Sequence, residues 1–294
     1  VRAVIPHFDF VRPRSLDEAL RVLGDATEPI TVLAGGTDVI PGMQQNDARF
    51  CQTRTVLDIH HLPELRGVRE QGEHLRIGAT VTFSEIASHA KIRAGFPLLS
   101  DAAVTLGSVQ IRNRATVAGN FVNNAACADS VPPLLVYEAR VHIRSLKSER
   151  AVPLSDFLLA PNRTALSADE LVTEIVLPRM PEGYAGRFFK LGRRRGIAIS
   201  RITLAALLKL DKTRVEDLRI ASGAVTPIAM RFSELEASVR GKPANEDLWA
   251  TVAQDLGNVV LERTGLRWSS AYKLPVVQQA LFAMLCELSS GRRA

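Results

Sequence analysis

Two glycine-bearing stretches hold the residue types that could do chemistry in this 294-residue chain. The first is Val32-Leu33-Ala34-Gly35-Gly36-Thr37-Asp38-Val39. It overlaps the apolar run from Ile30 to Leu33, which reads as a buried strand. Adjacent glycines after a strand let the backbone turn sharply, through φ values that a Cβ penalises. They also strip the bend of side chains, so successive N–H groups can converge on an anion such as a phosphate. Thr37 adds a hydroxyl donor. Asp38 would repel a phosphate, so it is expected to hydrogen-bond the loop or a sugar hydroxyl. Val39-Ile40-Pro41-Gly42 reads as a second turn. Alone, a Gly-Gly after a strand is most often only a turn.

A second stretch repeats the chemistry. Residues 110–120 run through Ala115, Thr116, Ala118, Gly119 and Asn120. They continue to Asn123 and then to Ala128-Asp129-Ser130-Val131-Pro132. A dinucleotide offers a diphosphate, sugar hydroxyls and flat rings. Two backbone-rich loops and an aspartate suit that inventory. Neither stretch is G-x-G-x-x-G, and no G-x-x-x-x-G-K-[ST] occurs, so neither a Rossmann domain nor a P-loop is indicated.

The pair A-G-G-T-D and Q-I-R-N-x-A-T-V-x-G-N-x-x-N-(x4)-A-D-x-x-P resembles the FAD-binding medium subunit of molybdenum hydroxylases. This is the group of xanthine dehydrogenase, carbon monoxide dehydrogenase and 4-hydroxybenzoyl-CoA reductase. The resemblance spans the chain from Phe8-Asp9-Phe10-Val11-Arg12-Pro13 to the helical tail. It implies an α+β fold with a two-part, PCMH-type FAD-binding domain over residues 1–180. That domain divides into a small α/β unit, 1–54, and a larger α+β unit, 55–180. A C-terminal α+β domain of the carbon monoxide dehydrogenase flavoprotein type, 181–294, follows with an antiparallel sheet and helices. The implied cofactor is FAD, bound by residues 32–39 and by Ala115, Thr116, Ala118, Gly119, Asn120, Asn123 and Asp129. Leu106 would stand near the adenine or the ring end. Leu171 and Val172 would pack on the isoalloxazine, and Lys190 would place a cation at its pyrimidine side. Read without the family, Asp129 is a helix cap, Thr116 and Asn120 are turn residues, Leu171 and Val172 are strand residues and Lys190 is a surface lysine. The family usually has T-V-G-G-N where this chain has Ala118. That position must therefore suit alanine, or the flavin shifts slightly.

The implied role is electron transfer, from [2Fe–2S] clusters of a small partner subunit to NAD or another acceptor. The molybdenum cofactor would sit in a large partner subunit. Two alternatives are a stand-alone PCMH-type flavoprotein oxidoreductase and a non-catalytic assembly protein of the same fold. Arg112, Arg114 and the run Arg193 to Arg195 are candidates for partner contact or flavin-proximal charge.

The elements that must position these loops are legible in part. Ser15-x-x-Glu18 and Thr82-x-x-Glu85 are capping boxes that open helices. Leu16, Ala19, Leu20 and Leu23 make an apolar helical face. Gln71-Gly72 joins two strand runs as a hairpin. Residues 96–106 read as a helix closed by Gly107. Strands are expected over 140–145 and 171–177, although Ser167-x-x-Glu170 imitates a capping box. The segment from Pro178 to Gly183 reads as a boundary. Beyond it come three strands, 187–191, 201–210 and 218–225, then helices over 232–239, 245–256 and 271–288. Strands first and helices after indicate a layered α+β domain.

Composition bounds the remainder. A 46% hydrophobic content is that of an ordinary globular chain. No run suits a membrane span, and residues 1–6 show no secretory h-region, so the cytoplasm is expected. A net charge of +6 with only 5% aromatics is poor for stacking nucleic-acid bases. Three cysteines, far apart and without C-x-x-C spacing, fall short of the four thiolates an iron–sulfur cluster normally takes. The six histidines lack metal-ligand spacing, and His60-His61 reads as a solvated turn. No general acid or base and no metal site is expected, because a flavin that relays electrons carries its own chemistry.

Overall fold

The computed structural model describes residues 5, 7–194 and 197–291. The first unit is a three-stranded parallel sheet. Its strands are β1 (Asp9–Val11), β2 (Ile30–Leu33) and β3 (Thr55–Asp58), with β3 in the middle. Parallel neighbours require crossovers, and α1 (Leu16–Gly24) supplies the first. It buries Leu16, Ala19, Leu20 and Leu23, the i, i+3, i+4, i+7 face read from the sequence. Ser15 Oγ accepts from the Glu18 amide at 3.2 Å. The Glu18 carboxylate accepts from the Arg14 amide at 2.7 Å, one residue ahead of the capping-box position. The expected unit limit at residue 54 falls just before β3, so the small sheet continues past it.

Residues 39–42 are not a turn. They lie within α2 (Val39–Gln44), because Gly36 at φ +74° has already completed the bend. Pro41 then occupies the first helical turn, where its missing N–H costs nothing.

The larger unit is built on a five-stranded antiparallel sheet. Its strands are β4 (Val68–Gln71), β5 (His74–Gly78), β6 (Arg140–Arg144), β7 (Glu149–Pro153) and, after a two-stranded hairpin of β8 (Leu158–Ala160) and β9 (Arg163–Thr164), β10 (Leu171–Pro178). The order β4-β5-β10-β6-β7 puts β10 at the centre, and seven of its residues are buried. Glu170 accepts from the Ser167 amide at 2.9 Å and pairs with Arg150 at 2.7 Å. The capping-box look-alike is thus a turn braced by an ion pair, leading into a strand.

Between β5 and β6 run α3 (Phe83–Ser88), α4 (Ala90–Gly95), α5 (Pro97–Thr105), α6 (Val109–Arg112), α7 (Val117–Val122) and α8 (Val131–Val136). Thr82 and Glu85 form the complete capping box of α3. The second glycine stretch is therefore two short helices and their connections. Asp129 does not cap α8, whose N-cap residue is Ser130. A four-residue helix, α9 (Leu154–Phe157), follows β7.

The C-terminal unit is a meander of β11 (Tyr184–Gly192), β12 (Ser200–Asp211), β13 (Arg214–Gly223) and the two-residue β14 (Met230–Arg231). Helices α10 (Ser233–Ser238), α11 (Glu246–Thr264) and α12 (Ser270–Ser289) cover one face. The middle of β12, residues 204–208, is an unbroken apolar run because both of its faces are buried. Ala205 and Leu207 join the core of the larger unit, while Leu204, Ala206 and Leu208 join the core under the helices. Helix α11 runs past the expected end at 256. Gly257 does not stop it but admits α12, since a Cβ there would lie 2.7 Å from Gln278 Cδ. Among the described residues, no helix is long and apolar enough to cross a membrane.

Candidate functional site

A cleft of about 610 Å³ lies where the small unit, the larger unit and the β11–β12 connection meet. Both glycine stretches line it. Gly35, Gly36, Thr37 and Asp38 form one wall, and Ala115, Thr116, Ala118 and Gly119 form the facing one. The walls touch at Gly35. A Cβ there would run into the Arg114 carbonyl oxygen and stand 2.8 Å from the carbonyl carbon and 3.0 Å from Ala115 Cα. Gly35 is thus required for backbone to meet backbone, a demand that adds to the turning expected of it. Gly36, at φ +74°, makes the turn.

Among the described residues, the amides of Gly35, Gly36, Thr37 and Asp38 donate no hydrogen bond within the chain. Unpaired main-chain donors facing a concave site need water or a ligand as partner. The second wall is more occupied. The Gly119 amide donates to Thr116 Oγ1 at 3.2 Å, so Thr116 is the N-cap of α7. Val117 N–H donates to the Val81 carbonyl at 3.0 Å, which ties this wall to the β5–α3 connection. Ala118 sits inside α7, and its φ is not among the positive ones. The departure from the usual glycine is thereby explained: a right-handed helical residue favours alanine.

The polar side chains are largely engaged with one another. Asn120 Oδ1 accepts from Ser130 Oγ at 2.7 Å, and Asn123 Oδ1 accepts from Arg49 Nη1 at 2.5 Å. Asp129 is 5% exposed; Lys190 Nζ donates to it at 2.7 Å, and Ser200 Oγ donates to its other oxygen. Burial pushes the Asp129 carboxyl up, and Lys190 offsets this only in part. The Asp38 carbonyl accepts from the Gly42 amide at 2.9 Å, while its carboxylate makes no hydrogen bond to the loop among the described residues. Its carboxylate opens to the cleft, yet desolvation by the surrounding walls raises it, against the lowering field of Arg49. Cys127 also lines the cleft, with its thiol pushed up by burial and then by Asp129.

Seventeen of the nineteen expected site residues line the cleft: Val32, Ala34, Gly35, Gly36, Thr37, Asp38, Val39, Leu106, Ala115, Thr116, Ala118, Gly119, Asn120, Asn123, Asp129, Leu171 and Val172. Two do not. Leu33 packs behind the bend, with Cδ1 3.2 Å from where a Gly36 Cβ would be. Lys190 is neither on the surface nor in the cleft wall; it stands behind Asp129 and also donates to the Thr105 carbonyl at 2.9 Å. Arg112 Nη1 donates to the Leu106 and Gly107 carbonyls at 3.0 and 3.1 Å. Of the run Arg193 to Arg195, Arg195 lies outside the described residues. His60 and His61 do form a turn, but the pair is half-buried, and His61 Nε2 meets the Pro13 carbonyl at 2.7 Å.

Sequence reasoning missed other lining residues. Arg49, Phe50 and Asn162 carry no local motif, and only the tertiary fold brings them here. Ile59, Ile111 and the segment Ile197-Ala198-Ile199 widen an apolar side that already holds Leu106, Leu171 and Val172. Ile197 and Ile199 are 55% and 78% exposed. Their signal in the sequence was an apolar triplet just after a basic run.

Residues 6–180 match the family described as FAD binding domain in molybdopterin dehydrogenase. Residues 187–288 match the CO dehydrogenase flavoprotein C-terminal domain. The chain is 33% identical over 277 residues to the xanthine dehydrogenase FAD-binding subunit of Escherichia coli O157:H7, covering 92% of this chain and 93% of that one. It is 33% identical over 276 residues to the glyceraldehyde dehydrogenase medium chain of Sulfolobus acidocaldarius, covering 93% and 95%. Among solved structures, a chain of the carbon monoxide dehydrogenase of Hydrogenophaga pseudoflava superposes with a TM-score of 0.90 at 28% identity, covering 99% of this chain and 100% of that chain.

Proposed function

The chain belongs to the FAD-binding medium subunits of the xanthine and carbon monoxide dehydrogenase family, and from that membership we propose how its cleft holds FAD and what the bound cofactor does. One observation carries the proposal: two side-chain-poor bends, about eighty residues apart in sequence, touch at the floor of one cleft. The residues present suit the cofactor. The unpaired amides of residues 35–38 offer donors to a diphosphate. The apolar side of Ile59, Leu106, Ile111, Leu171 and Val172 offers a dry slot for a flat ring. Asp129 offers a carboxylate to sugar hydroxyls, and Lys190 and Ser200 hold that carboxylate in one orientation. Lys190 then acts on the flavin through Asp129 and not by direct contact.

When bound, FAD supplies the chemistry, taking up and releasing electrons. The chain binds it, excludes water from its rings and fixes its position. In the assembled enzyme, electrons would arrive from [2Fe–2S] clusters of a small partner subunit, downstream of a molybdenum-binding large subunit. They would leave to NAD or another acceptor. The domain limits follow the same reading, with residues 1–180 carrying the cofactor and 181–294 closing the cleft through the β11–β12 connection.

Purification of the chain alone is expected to yield a protein with the two visible bands of oxidised flavin and no substrate turnover. Co-purification with its partners, followed by metal analysis, is expected to recover molybdenum and iron. A colourless protein that takes up no added FAD would overturn the reading.

A further inference from the structure

Arg49 lies between α2 and β3, and its guanidinium joins two parts of the cleft wall that are distant in sequence. On its own side Asp47 holds it, with Nε 3.1 Å from Oδ1 and Nη2 2.8 Å from Oδ2. That pairing depresses the Asp47 carboxyl to about 2, so the pair is ionised throughout the neutral range. Towards the larger unit, Nη1 donates to the amide oxygens of Asn123 at 2.5 Å and Asn162 at 3.1 Å. The guanidinium also lies over the Phe50 ring, 5.0 Å from its centroid. Phe50 packs on Gly42, where a Cβ would stand 2.7 Å from ring atom Cε2. Arg49, Phe50, Asn123 and Asn162 all line the cleft.

The charges make the arrangement informative. Among the described lining residues the ionisable groups of fixed sign are Asp38, Arg49 and Asp129. Lys190 already neutralises Asp129. A diphosphate lodged on the amides of residues 35–38 would stand beside the Asp38 carboxylate. Arg49 is itself paired with Asp47, which is not among the lining residues, and its field still reaches the Asp38 carboxylate. Its planar fork can keep the bonds to Asp47 and the two asparagines while its charge faces the anion.

We propose that Arg49 is a clasp for the diphosphate: it spans the cleft from Asp47 to Asn123 and Asn162, and it supplies the positive charge that offsets Asp38 when a nucleoside diphosphate group binds. This rests on the FAD reading above and adds a residue to it. Arg49 would act on the nucleotide half, which FAD shares with ADP, so the two ligands should respond alike to its loss.

The test titrates FAD and ADP separately into flavin-free wild type, Arg49→Gln and Arg49→Lys, at low and at moderate salt, with thermal melts to confirm folding. Loss of a charge-assisted contact is worth roughly 10- to 100-fold in affinity. Arg49→Gln is expected to weaken FAD and ADP by the same factor in that range and to flatten the salt dependence. Arg49→Lys should restore the salt dependence with only part of the affinity. Asn123→Ala combined with Asn162→Ala keeps the charge but cuts the bonds across the cleft. It should speed FAD release while leaving the salt dependence intact. Wild-type affinities in Arg49→Gln, or a loss for FAD with none for ADP, would overturn the clasp and leave the FAD reading standing. A wild type that takes up neither ligand would overturn both.

Discussion

Gly35→Ala is the smallest change that tests how the two walls meet. The added Cβ would find the Arg114 carbonyl carbon at 2.8 Å and Ala115 Cα at 3.0 Å. The Arg114 carbonyl oxygen lies closer still, well inside any non-bonded contact distance, so one wall must retreat by roughly 1 Å. The obstacle is main chain, so no side-chain rotamer can relieve it. Overpacking of this kind costs about 1–3 kcal/mol. If the cofactor needs the walls at their present spacing, the same cost appears in binding, as roughly a 5- to 150-fold rise in Kd. The assay is titration of flavin-free protein with FAD, followed by fluorescence, beside a thermal melt without ligand. Gly95→Ala is the control: it ends α4, and nothing lies within 4 Å of its Cβ. It should leave FAD binding unchanged. If Gly35→Ala binds FAD as the wild type does and melts at the same temperature, the walls do not depend on contact at Gly35 and the reasoning fails.

Lys190→Met should strand the Asp129 carboxyl, a buried ion-pair loss worth about 3–5 kcal/mol in urea unfolding at pH 8. Burial raises the folded-state affinity of Asp129 for its proton, so the stability linked to that proton is present at low pH and is lost as pH rises. The variant's deficit should therefore shrink towards pH 5. Asp38 is raised too, by desolvation, and an incoming diphosphate would raise it further. FAD binding should then take up a proton and tighten as pH falls from 8 towards 5. Asp38→Asn should tighten binding at pH 8 and flatten the slope, as read by Kd at fixed ionic strength. Cys127 should react with iodoacetamide more slowly than the exposed Cys51, because its thiol is pushed up, and bound FAD should slow it further, as followed by mass spectrometry.

Much of the scaffold was legible without coordinates because local chemistry fixes it. The 3.6-residue face of α1, the Thr82–Glu85 box and the Gln71-Gly72 hairpin depend on near neighbours, and each formed as read. The two glycine stretches were legible because their composition is unusual wherever they sit. Tertiary structure decided what those stretches do. Gly35 is constrained by a carbonyl at residue 114, and the Gly119 amide is consumed by Thr116. Asp129 is matched by Lys190, 61 residues away, and Arg49 reaches Asn123 and Asn162 across 74 and 113 residues. Helix caps and hairpins act over a few residues, so the sequence determines them. Charge pairing and backbone contact across a cleft depend on which distant segments the packed core brings together, and only the folded chain settles that.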